Sequence, residues 1–553
     1  MFYKLHILQH IWRKMRLVGL LPYLSLFVWI LPLLLFTSGH NSLMAHDEAL
    51  YASRARLMFD SGNWIAPWTT AHHKTPGPYW LIASFYKLFG MSDTSARLPS
   101  MIASIFSLWL VYEIGKIMLC KKLAWLAAAI LSVEFLWLQY SRLSTPDVTM
   151  IFLVLLAIWS LIKTELNPKY RYFWSFIAGL SLSLGFLIRS FMIFLPIIAL
   201  FPYLIGEHRR HRHLTNPILY LGFFVGLIPT GVWLWLSWLH YGNQSFEELL
   251  HFVVQLGSED HYNNGPLFYM WNIPLKSFPW AFFGILGLVL TLHHPIVRYQ
   301  LILVGFPLVL FCELSIFTTR FPHYSLCLYP FIALFASVGL NWLGNIYQTR
   351  IHRQLPIEKG KINILIKFFA IRNLPRNLSY GFGGLGILLV VASIGVFSWG
   401  SFDIRKYATI GLAMGLGWLI LPVVWISRYH FGIKFLTARY WIAGWLIPCW
   451  LALAAMGSIG LLSDYNPVLK TFLQQSAIAS TLQSHPTYYV QIDQKTQVLL
   501  DFYLPIHAQP VSSISQIPAL SYAWIYTDQS PKLSRPHRIV GTVKDYQLLQ
   551  FLP

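Results

Sequence analysis

Long apolar runs alternate with short polar segments along most of this 553-residue chain. An apolar run of about 20 residues is long enough to cross the hydrocarbon core of a bilayer as a helix. A sliding window of about 19 residues predicts thirteen such spans. They cover 17–37, 97–118, 123–140, 146–163, 172–188, 190–206, 215–239, 279–294, 299–318, 324–343, 377–400, 406–427 and 440–462.

The first apolar run and the pair interrupted by Arg189 each allow two interpretations. The first run follows a basic stretch, MFYKLHILQHIWRKMR, and no small-residue cleavage site comes after it. It therefore predicts a membrane span and not a signal peptide. The pair 172–188 and 190–206 is interrupted by Arg189, so it is either two short helices or one bent helix.

The pattern changes in residues 463–553. A helix-like stretch, NPVLKTFLQQSAIASTLQ, is followed by short runs typical of strands, which are separated by Pro, Ser and Asp. These runs are TYYVQID, TQVLLDFYLP, SYAWIYTD and HRIVGTVKDY. We expect an all-α polytopic membrane domain over 1–462 and a small soluble α/β domain over 463–553.

Composition excludes a soluble globular protein. Hydrophobic residues make up 56% of the chain and charged residues only 11%, whereas soluble domains carry about 25% charged residues. A net charge of +20 would suggest nucleic acid in a soluble protein, but membrane proteins concentrate Lys and Arg on cytoplasmic loops. No nucleic-acid partner is expected, and the four cysteines form no recognisable disulfide framework.

The same bias predicts the orientation. With the N-terminus in the cytoplasm, the inner segments hold 24 of the 41 Lys and Arg residues. The longer outer loops then hold 11 of them. This arrangement follows the positive-inside rule and places the segment after 462 outside a cytoplasmic (inner) membrane. Two outer loops, 38–96 and 240–278, are too long for simple turns and are expected to form the active site.

Ionisable residues near the membrane gather at its outer side in this arrangement. Such residues are costly within a membrane and are usually functional. They predict a polar cavity open to the outside, although each one alone could mark a helix end. A transporter would in addition need polar groups nearer the midplane of the membrane. The residues are Asp47, Glu48, Lys74, Glu134, Arg142, Asp147, Arg189, Glu313, Arg320 and His323.

The first outer loop contains two candidate interfacial helices. After Asp47 and Glu48, apolar Leu50, Tyr51, Leu57 and Met58 have the spacing of an amphipathic helix on a membrane surface. Ser61-Gly62-Asn63 ends it, and a second helix is expected to begin near Pro76 and Pro78. At this position Asp47 is either a helix N-cap or a functional carboxylate.

The order of motifs in this loop resembles the bacterial polyprenyl-phosphate-dependent glycosyltransferases of the GT-C fold. That family includes aminoarabinose transferases acting on lipid A and is related to protein O-mannosyltransferases. The matching pieces are Asp47-Glu48, Tyr51-Ala52, Arg54, Met58, Ser61-Gly62-Asn63-Trp64, Lys74, Pro76, Tyr79-Trp80, Lys87-Leu88-Phe89-Gly90 and Ala96-Arg97-Leu98-Pro99-Ser100.

Later segments resemble the same family. Thr145-Pro146-Asp147 is similar to its second acidic position. GFLIRSFMIFLP has Arg189-Ser190 where Lys-Gly is common, and TTRFPHYSLCLYPFIAL has Arg320 in place of Lys. HYNNGPLFYMWNIPLKSFPW is similar to a segment of the second large outer loop. The motifs cover roughly residues 40–343.

The resemblance implies a GT-C fold and the transfer of a sugar, with inversion, from a polyprenyl phosphate to an acceptor outside the membrane. Membrane lipids, the lipid-linked donor and a glycolipid, glycan or protein acceptor are the expected partners. The implied catalytic residues are Asp47, Asp147 and Glu48; for Glu48 a solvated or structural role stays open. The other implied site residues are Lys74, Arg189, Arg320 and Tyr324 for the donor phosphate, and Tyr79, His261 and His323 in the substrate cavity.

The sequence requires no cofactor. A divalent metal stays open, with His73 and His261 as candidate ligands, but no local histidine pair has the i, i+4 spacing of a helical zinc site. Two other classes of function also stay open. One is a transporter or flippase of lipid-linked glycans, and the other is a non-catalytic assembly subunit.

Overall fold

The computed structural model describes residues 2–36, 38–39, 41–45, 48–258, 264–295, 298–349, 373–462, 467–529, 533 and 535–553. Most of these residues are helical. Short 3-10 helices lie at Pro168–Tyr170, Ser190–Ile193, His213–Thr215 and Pro322–Leu328, and a π-helical turn lies at Leu301–Gly305.

In chain order the α-helices before residue 462 are α1 (Phe2–Leu35), α2 (Ala49–Ser61), α3 (Gly77–Phe89), α4 (Asp93–Met118), α5 (Lys121–Ser132), α6 (Phe135–Ser141), α7 (Asp147–Leu166), α8 (Arg171–Arg189), α9 (Phe194–Ala199), α10 (Phe201–Gly206), α11 (His208–His211), α12 (Pro217–Tyr241), α13 (Gln244–Ser258), α14 (Phe268–Lys276), α15 (Trp280–His293), α16 (Phe306–Ile316), α17 (Tyr329–Thr349), α18 (Leu374–Trp399), α19 (Phe402–Trp418), α20 (Ile420–Tyr429) and α21 (Ala438–Ser458).

The chain is a multi-pass membrane protein. Within the described ranges, eight helices are long and apolar enough to cross a membrane, or up to ten if each of two bent pairs counts as one span. Hydropathy predicts thirteen spans; the range of eight to ten counts Pro168–Gly206 as one span and leaves out helices under 18 residues. Predicted spans 17–37 and 299–318 coincide with apolar helical stretches of fewer than 18 residues, Gly19–Leu35 within α1 and Leu301–Ile316, which that count leaves out.

The other differences also come from helix continuity, which a hydropathy window does not detect. Predicted spans 123–140 and 279–294 lie in the two bent pairs, α5 with α6 and α14 with α15, which bend by 69° and 114°. The predicted pair 172–188 and 190–206 forms one continuous helical segment, Pro168–Gly206.

That segment nevertheless turns back on itself at Arg189. Arg189 pairs with Asp147 at the first turn of α7, whereas Tyr203 hydrogen-bonds to Glu165 in the last turn of α7. Because a 20-residue helix is about 30 Å long, the chain between Arg189 and Tyr203 must return along α7. The reversal occurs at Ser190, whose φ of 51° is outside the helical region. The two-helix alternative therefore describes the path of the chain.

Helices α2 and α3 match the two helices predicted in the first outer loop. Helix α2 ends at Gly62, which has a φ of 67° that glycine adopts without strain. The predicted surface location of α2 needs correction, because Tyr51 and Met58 are buried in one apolar cluster with residues of α3 and of the chain after 467. The apolar face of α2 thus contacts protein.

The described part of residues 467–553, here called the C-terminal unit, combines three α-helices with a mixed five-stranded sheet. The strand order is β2-β1-β3-β5-β4; β1 is parallel to β2 and β3, and β5 is antiparallel to β3 and β4. The elements are α22 (Pro467–Leu473), α23 (Ser476–Ser484), β1 (Thr487–Val490), α24 (Gln494–Tyr503), β2 (Gln509–Val511), β3 (Tyr522–Tyr526), β4 (His537–Val543) and β5 (Tyr546–Phe551), with a 3-10 turn at Ile514–Gln516.

The predicted small α/β arrangement is therefore present, but the segment TQVLLDFYLP is helical and not a strand. Asp493 provides the reason, because its carboxylate accepts hydrogen bonds from the amides of Lys495 and Thr496 and so caps α24. A short apolar run does not by itself distinguish a buried helix from a strand.

Candidate active site

Asp47, the predicted catalytic base, lies outside the described residues, but its neighbour Glu48 is well placed. The Glu48 side chain is fully buried and forms a double ion pair with Arg97 of α4, at N–O distances of 2.6 and 2.9 Å. Its oxygens also accept the amide hydrogens of Met44 at 2.8 Å and Ser144 at 3.2 Å. Glu48 therefore ties the chain before α2 to α4 and to the loop before α7.

This geometry favours a structural role for Glu48 over a catalytic one. Four hydrogen bonds already use both oxygens, so neither oxygen is available to accept a proton from a substrate. Glu48, and not Asp47, occupies the N-cap position of α2, although its side chain does not cap the helix. Asp47 immediately precedes this buried anchor.

Lys74, Arg189 and Asp147 come together around the hydroxyl of Tyr51. Arg189 contacts Asp147 with an N–O distance of 2.9 Å and donates to Tyr51 Oη at 2.9 Å. Lys74 Nζ donates to the same hydroxyl at 3.3 Å and lies 5.0 Å from the centre of the Tyr51 ring. We call these four residues the cationic cluster. Four separate chain segments supply it, and it carries two positive charges and one negative charge.

Close backbone packing holds the two cations together. Thr75 Oγ1 donates to the carbonyl of Phe186 at 3.1 Å, which fixes the segment after Lys74 to the end of α8. A Cβ at Gly77 would lie 2.4 Å from the carbonyl oxygen of Leu187, so only glycine allows this approach. The Pro-Gly-Pro sequence at 76–78 therefore brings Lys74 next to Arg189.

Burial changes the ionisation of Lys74. It lowers the pKa of Lys74 from 10.5 to about 8, because an ammonium group is less stable when water is removed. Arg189 and Arg54 lower this pKa further, whereas Tyr79 and Asp147 raise it. An anion bound beside Lys74 would favour the charged form.

Aromatic side chains surround the cluster. Tyr79 is fully buried and stacks on Tyr51 with ring centres 5.6 Å apart, and its hydroxyl lies 3.4 Å from Nε2 of His72. His72 stacks on His73 at 4.7 Å, and burial together with the Arg54 guanidinium holds the pKa of His72 well below its usual value. His72 is therefore neutral and adds no charge next to Lys74.

An apolar cavity of about 230 Å³ opens beside the cationic cluster. Its polar lining comes from Arg189, Ser190, Thr319 and Tyr324. The Ser190 hydroxyl is buried and has no hydrogen-bond partner among the described residues. The apolar lining includes Phe191, Phe194, Leu195, Ile198, Leu314 and Phe317. This arrangement suits a ligand with an anionic head and a hydrocarbon tail.

Arg320 does not join this cluster. It is buried and donates to the backbone carbonyls of Asn264 at 2.6 Å, Thr318 at 3.2 Å and Ser315 at 3.0 and 3.3 Å. These bonds fix the loop after α16 to the segment before α14. The geometry therefore favours a structural role for Arg320 over binding of a donor phosphate.

The remaining predicted residues are partly placed. His323 stacks on Tyr140 with ring centres 5.2 Å apart and packs edge-on against the ring of its neighbour Tyr324. His261 lies outside the described residues. Among the residues that are described, no group of three or more His, Cys, Asp or Glu side chains is arranged to hold a metal ion.

Sequence reasoning did not single out Tyr51, Arg97 or Ser190 as site residues. Tyr51 and Arg97 both belong to the quoted motifs, so their position in those motifs was the available signal. Their roles depend on partners that are distant in sequence: Arg189 is 138 residues from Tyr51, and Glu48 is 49 residues from Arg97.

Known proteins are similar to this chain in sequence. The family described as dolichyl-phosphate-mannose-protein mannosyltransferase matches residues 73–235. The undecaprenyl phosphate-alpha-4-amino-4-deoxy-L-arabinose arabinosyl transferase of Shewanella sediminis (strain HAW-EB3) is 25% identical over 314 residues, which cover 54% of this chain and 55% of that protein. The chain spans about half to two thirds of the length of the curated relatives it matches first.

Solved structures extend the likeness over nearly the whole fold. ArnT from Cupriavidus metallidurans bound to undecaprenyl phosphate is similar with a TM-score of 0.70 and 18% identity, covering 96% of this chain and 97% of that one. The Archaeoglobus fulgidus oligosaccharyltransferase tethered with an acceptor peptide is similar with a TM-score of 0.52 and 11% identity, covering 92% and 69%. The chain thus has an ArnT-like fold and is similar, over residues 73–235, to the dolichyl-phosphate-mannose-protein mannosyltransferase family, and this confirms the resemblance read from its first outer loop.

Proposed function

We propose that this protein is a membrane glycosyltransferase that moves a sugar from a polyprenyl-phosphate donor to an acceptor on the extracytoplasmic side, with inversion. The observation that carries the proposal is the pairing of Lys74 and Arg189 on the Tyr51 hydroxyl, beside an apolar cavity that Arg189 lines. Sequence relatives that act on undecaprenyl phosphate-linked aminoarabinose support the donor class.

The proposed reaction needs a base at the acceptor. Asp47 takes the proton of the acceptor hydroxyl as the acceptor oxygen bonds to the anomeric carbon of the sugar. The bond between that carbon and the phosphate oxygen breaks, and the polyprenyl phosphate leaves. An aspartate with the unperturbed pKa of about 3.9 is ionised at neutral pH, so it can accept this proton.

The cationic cluster stabilises the leaving group. A sugar-linked lipid phosphate has about one negative charge, and the free lipid phosphate approaches two at neutral pH. Cations that already lie in position favour this increase in charge without reorganising during the reaction. Arg189 can bind phosphate with two donors, and Lys74 acts as a point charge. Asp147 orients Arg189 through their ion pair.

The proposed orientation has the N-terminus in the cytoplasm and the cationic cluster, both large outer loops and the C-terminal unit outside it. The excess of Lys and Arg in the predicted inner segments supports this orientation. A lipid A-like glycolipid, another glycan and a protein are the candidate acceptors.

The test compares membrane lipids and surface glycans, by mass spectrometry, in strains carrying the wild type, Asp47→Asn and Asp528→Asn. Asp528 is exposed in the C-terminal unit and provides the matched control. We expect a polyprenyl-phosphate sugar to accumulate and one glycan to disappear with Asp47→Asn only. If the Asp47→Asn protein is folded and lipids and glycans are unchanged, the transferase proposal is wrong, and a transporter or assembly subunit is favoured instead.

A further inference from the structure

The segment that leads to Asp47 has few backbone hydrogen bonds of its own. Its described residues, 38–39 and 41–45, form neither helix nor strand. Backbone groups that are removed from water need partners, and in irregular segments side chains commonly supply them. The partners of this segment therefore determine where Asp47 can lie.

Two of those partners belong to the C-terminal unit. Lys470 of α22 is buried, and its Nζ donates to the carbonyls of Gly39 at 3.0 Å and Asn41 at 3.3 Å and to Asp93 Oδ2 at 3.0 Å. Tyr503, the last residue of α24, accepts the amide hydrogen of Leu43 at 2.8 Å, and its hydroxyl donates to the other oxygen of Asp93.

Residues of the membrane domain make further contacts with the segment before Asp47. Arg97 donates to the carbonyls of Ser38 and Ser42, the latter at 3.1 Å, and Glu48 accepts the amide of Met44. The segment is thus held from one side by the buried Arg97–Glu48 pair and from the other side by Lys470 and Tyr503. Removal of either set takes away the contacts described on that side of the segment.

The chain after Asp47 is also attached to the C-terminal unit. Arg56 of α2 is buried, and its guanidinium donates to the carbonyls of Asp501 and Phe502, both at 3.0 Å, and of Pro505 at 2.9 Å. These carbonyls lie at the C-terminal end of α24, where the helix dipole favours a cation. Asp47 therefore lies between two segments that the C-terminal unit holds.

We propose that the C-terminal unit positions the loop before α2, with Lys470 and Tyr503 as positioning residues that fix the backbone at Gly39, Asn41 and Leu43. This inference rests on the proposed function, because it assigns the loop a reacting carboxylate. Lys470 and Tyr503 take no part in the chemistry.

The first test is Tyr503→Phe, with Tyr489→Phe as the matched control. Tyr503→Phe keeps the ring and removes the hydroxyl that holds Leu43 and Asp93. Tyr489 is buried, and its described hydroxyl contacts, with Asp501 and Gln497, stay within the C-terminal unit. Displacement of a reacting group by about 1 Å can slow a reaction by about 100-fold. We expect Tyr503→Phe to lower kcat by 10- to 100-fold with the KM for donor nearly unchanged, and Tyr489→Phe to leave kcat near wild type.

A second measurement tests the position of the loop independently of enzymatic activity. Amide hydrogen exchange over residues 38–45 in detergent micelles should be faster in Tyr503→Phe than in wild type and unchanged in Tyr489→Phe. Unchanged exchange in Tyr503→Phe, or an equal loss of kcat in both variants, overturns the positioning role. If exchange becomes faster but wild type transfers no sugar from a polyprenyl phosphate, the positioning of the loop stands and the proposed function fails.

Lys470 requires a different control, because Lys470→Met leaves the Asp93 carboxylate buried without its cation. The double variant Lys470→Met with Asp93→Asn removes that charge but does not restore the donors to Gly39 and Asn41. We expect the double variant to regain stability over Lys470→Met while its kcat stays at least tenfold below wild type. If kcat returns with stability, Lys470 serves only to neutralise Asp93, and its positioning role is wrong.

Discussion

The buried pair of Glu48 and Arg97 provides the sharpest test of whether Glu48 is structural or catalytic. Both side chains have an exposed fraction of 0% and are joined by two hydrogen bonds. Glu48→Gln preserves the shape of the side chain but removes its charge. The Arg97 guanidinium then stays buried without a counter-ion, and two of the four hydrogen-bond donors at Glu48 must face an amide NH₂ group.

The expected loss follows from the burial. Removal of one partner from a buried ion pair costs about 3–5 kcal/mol in the free energy of unfolding. Domains are stable by only about 5–15 kcal/mol, so the loss is a large fraction of the total. Replacement of both partners by neutral side chains is much less damaging, because neither charge then stays unpaired. Glu48→Gln with Arg97→Met should therefore be more stable than either single variant.

The assay is unfolding in mixed micelles with an increasing fraction of SDS, followed by tryptophan fluorescence. Glu247→Gln, at an exposed position of α13, is the control and should change the free energy of unfolding by no more than about 0.5 kcal/mol. A Glu48→Gln protein that is as stable as wild type but inactive would refute the structural role and return Glu48 to the chemistry.

Three further predictions concern the cationic cluster. Because the pKa of Lys74 is about 8, kcat/KM for the donor should fall about tenfold per pH unit above pH 8. The Lys74→Arg variant should show this decline at higher pH. Identical pH profiles for the two proteins would contradict the role of Lys74. Arg189→Lys should raise the donor KM about tenfold or more in steady-state assays, because a hydrogen bond to a charged group contributes about 1.5–3 kcal/mol. An unchanged KM would exclude Arg189 from phosphate binding. Gly77→Ala should lower both thermal stability and donor affinity, because its Cβ would lie 2.4 Å from the Leu187 carbonyl; normal values for both would show that this close approach is not needed.

The sequence predicted the members of the cationic cluster better than their surroundings. Lys74, Asp147 and Arg189 each stand at the edge of an apolar run, where a charge is conspicuous, and each matches a family motif. Arg320 and Glu48 stand out equally in the sequence, but their charges are used on backbone carbonyls and on Arg97. Which charges face a cavity depends on the packing of distant segments, and this is not encoded in local pattern.

For the helices, too, the sequence predicted some features correctly and others not. The 3.6-residue pattern after Glu48 predicted α2 and its end at Gly62, but the pattern does not distinguish lipid from protein as the partner of an apolar face. Hydropathy located the span helices but not the breaks at Glu134 and Ser277, because a window averages over them. The segment after Asp493 was predicted to be a strand and is a helix, because the Asp493 N-cap outweighs the β preference of its residues.

The attachment of the first loop to the C-terminal unit also has a consequence for biogenesis. Leu43 and Tyr503 are 460 residues apart, and Gly39 and Lys470 are 431 residues apart. Contacts this distant in sequence form late, because the intervening chain must first be synthesised and folded. A ribosome that stops before residue 470 would leave a membrane domain whose first loop lacks its final contacts. Maturation of the proposed catalytic loop is thus coupled to completion of the polypeptide.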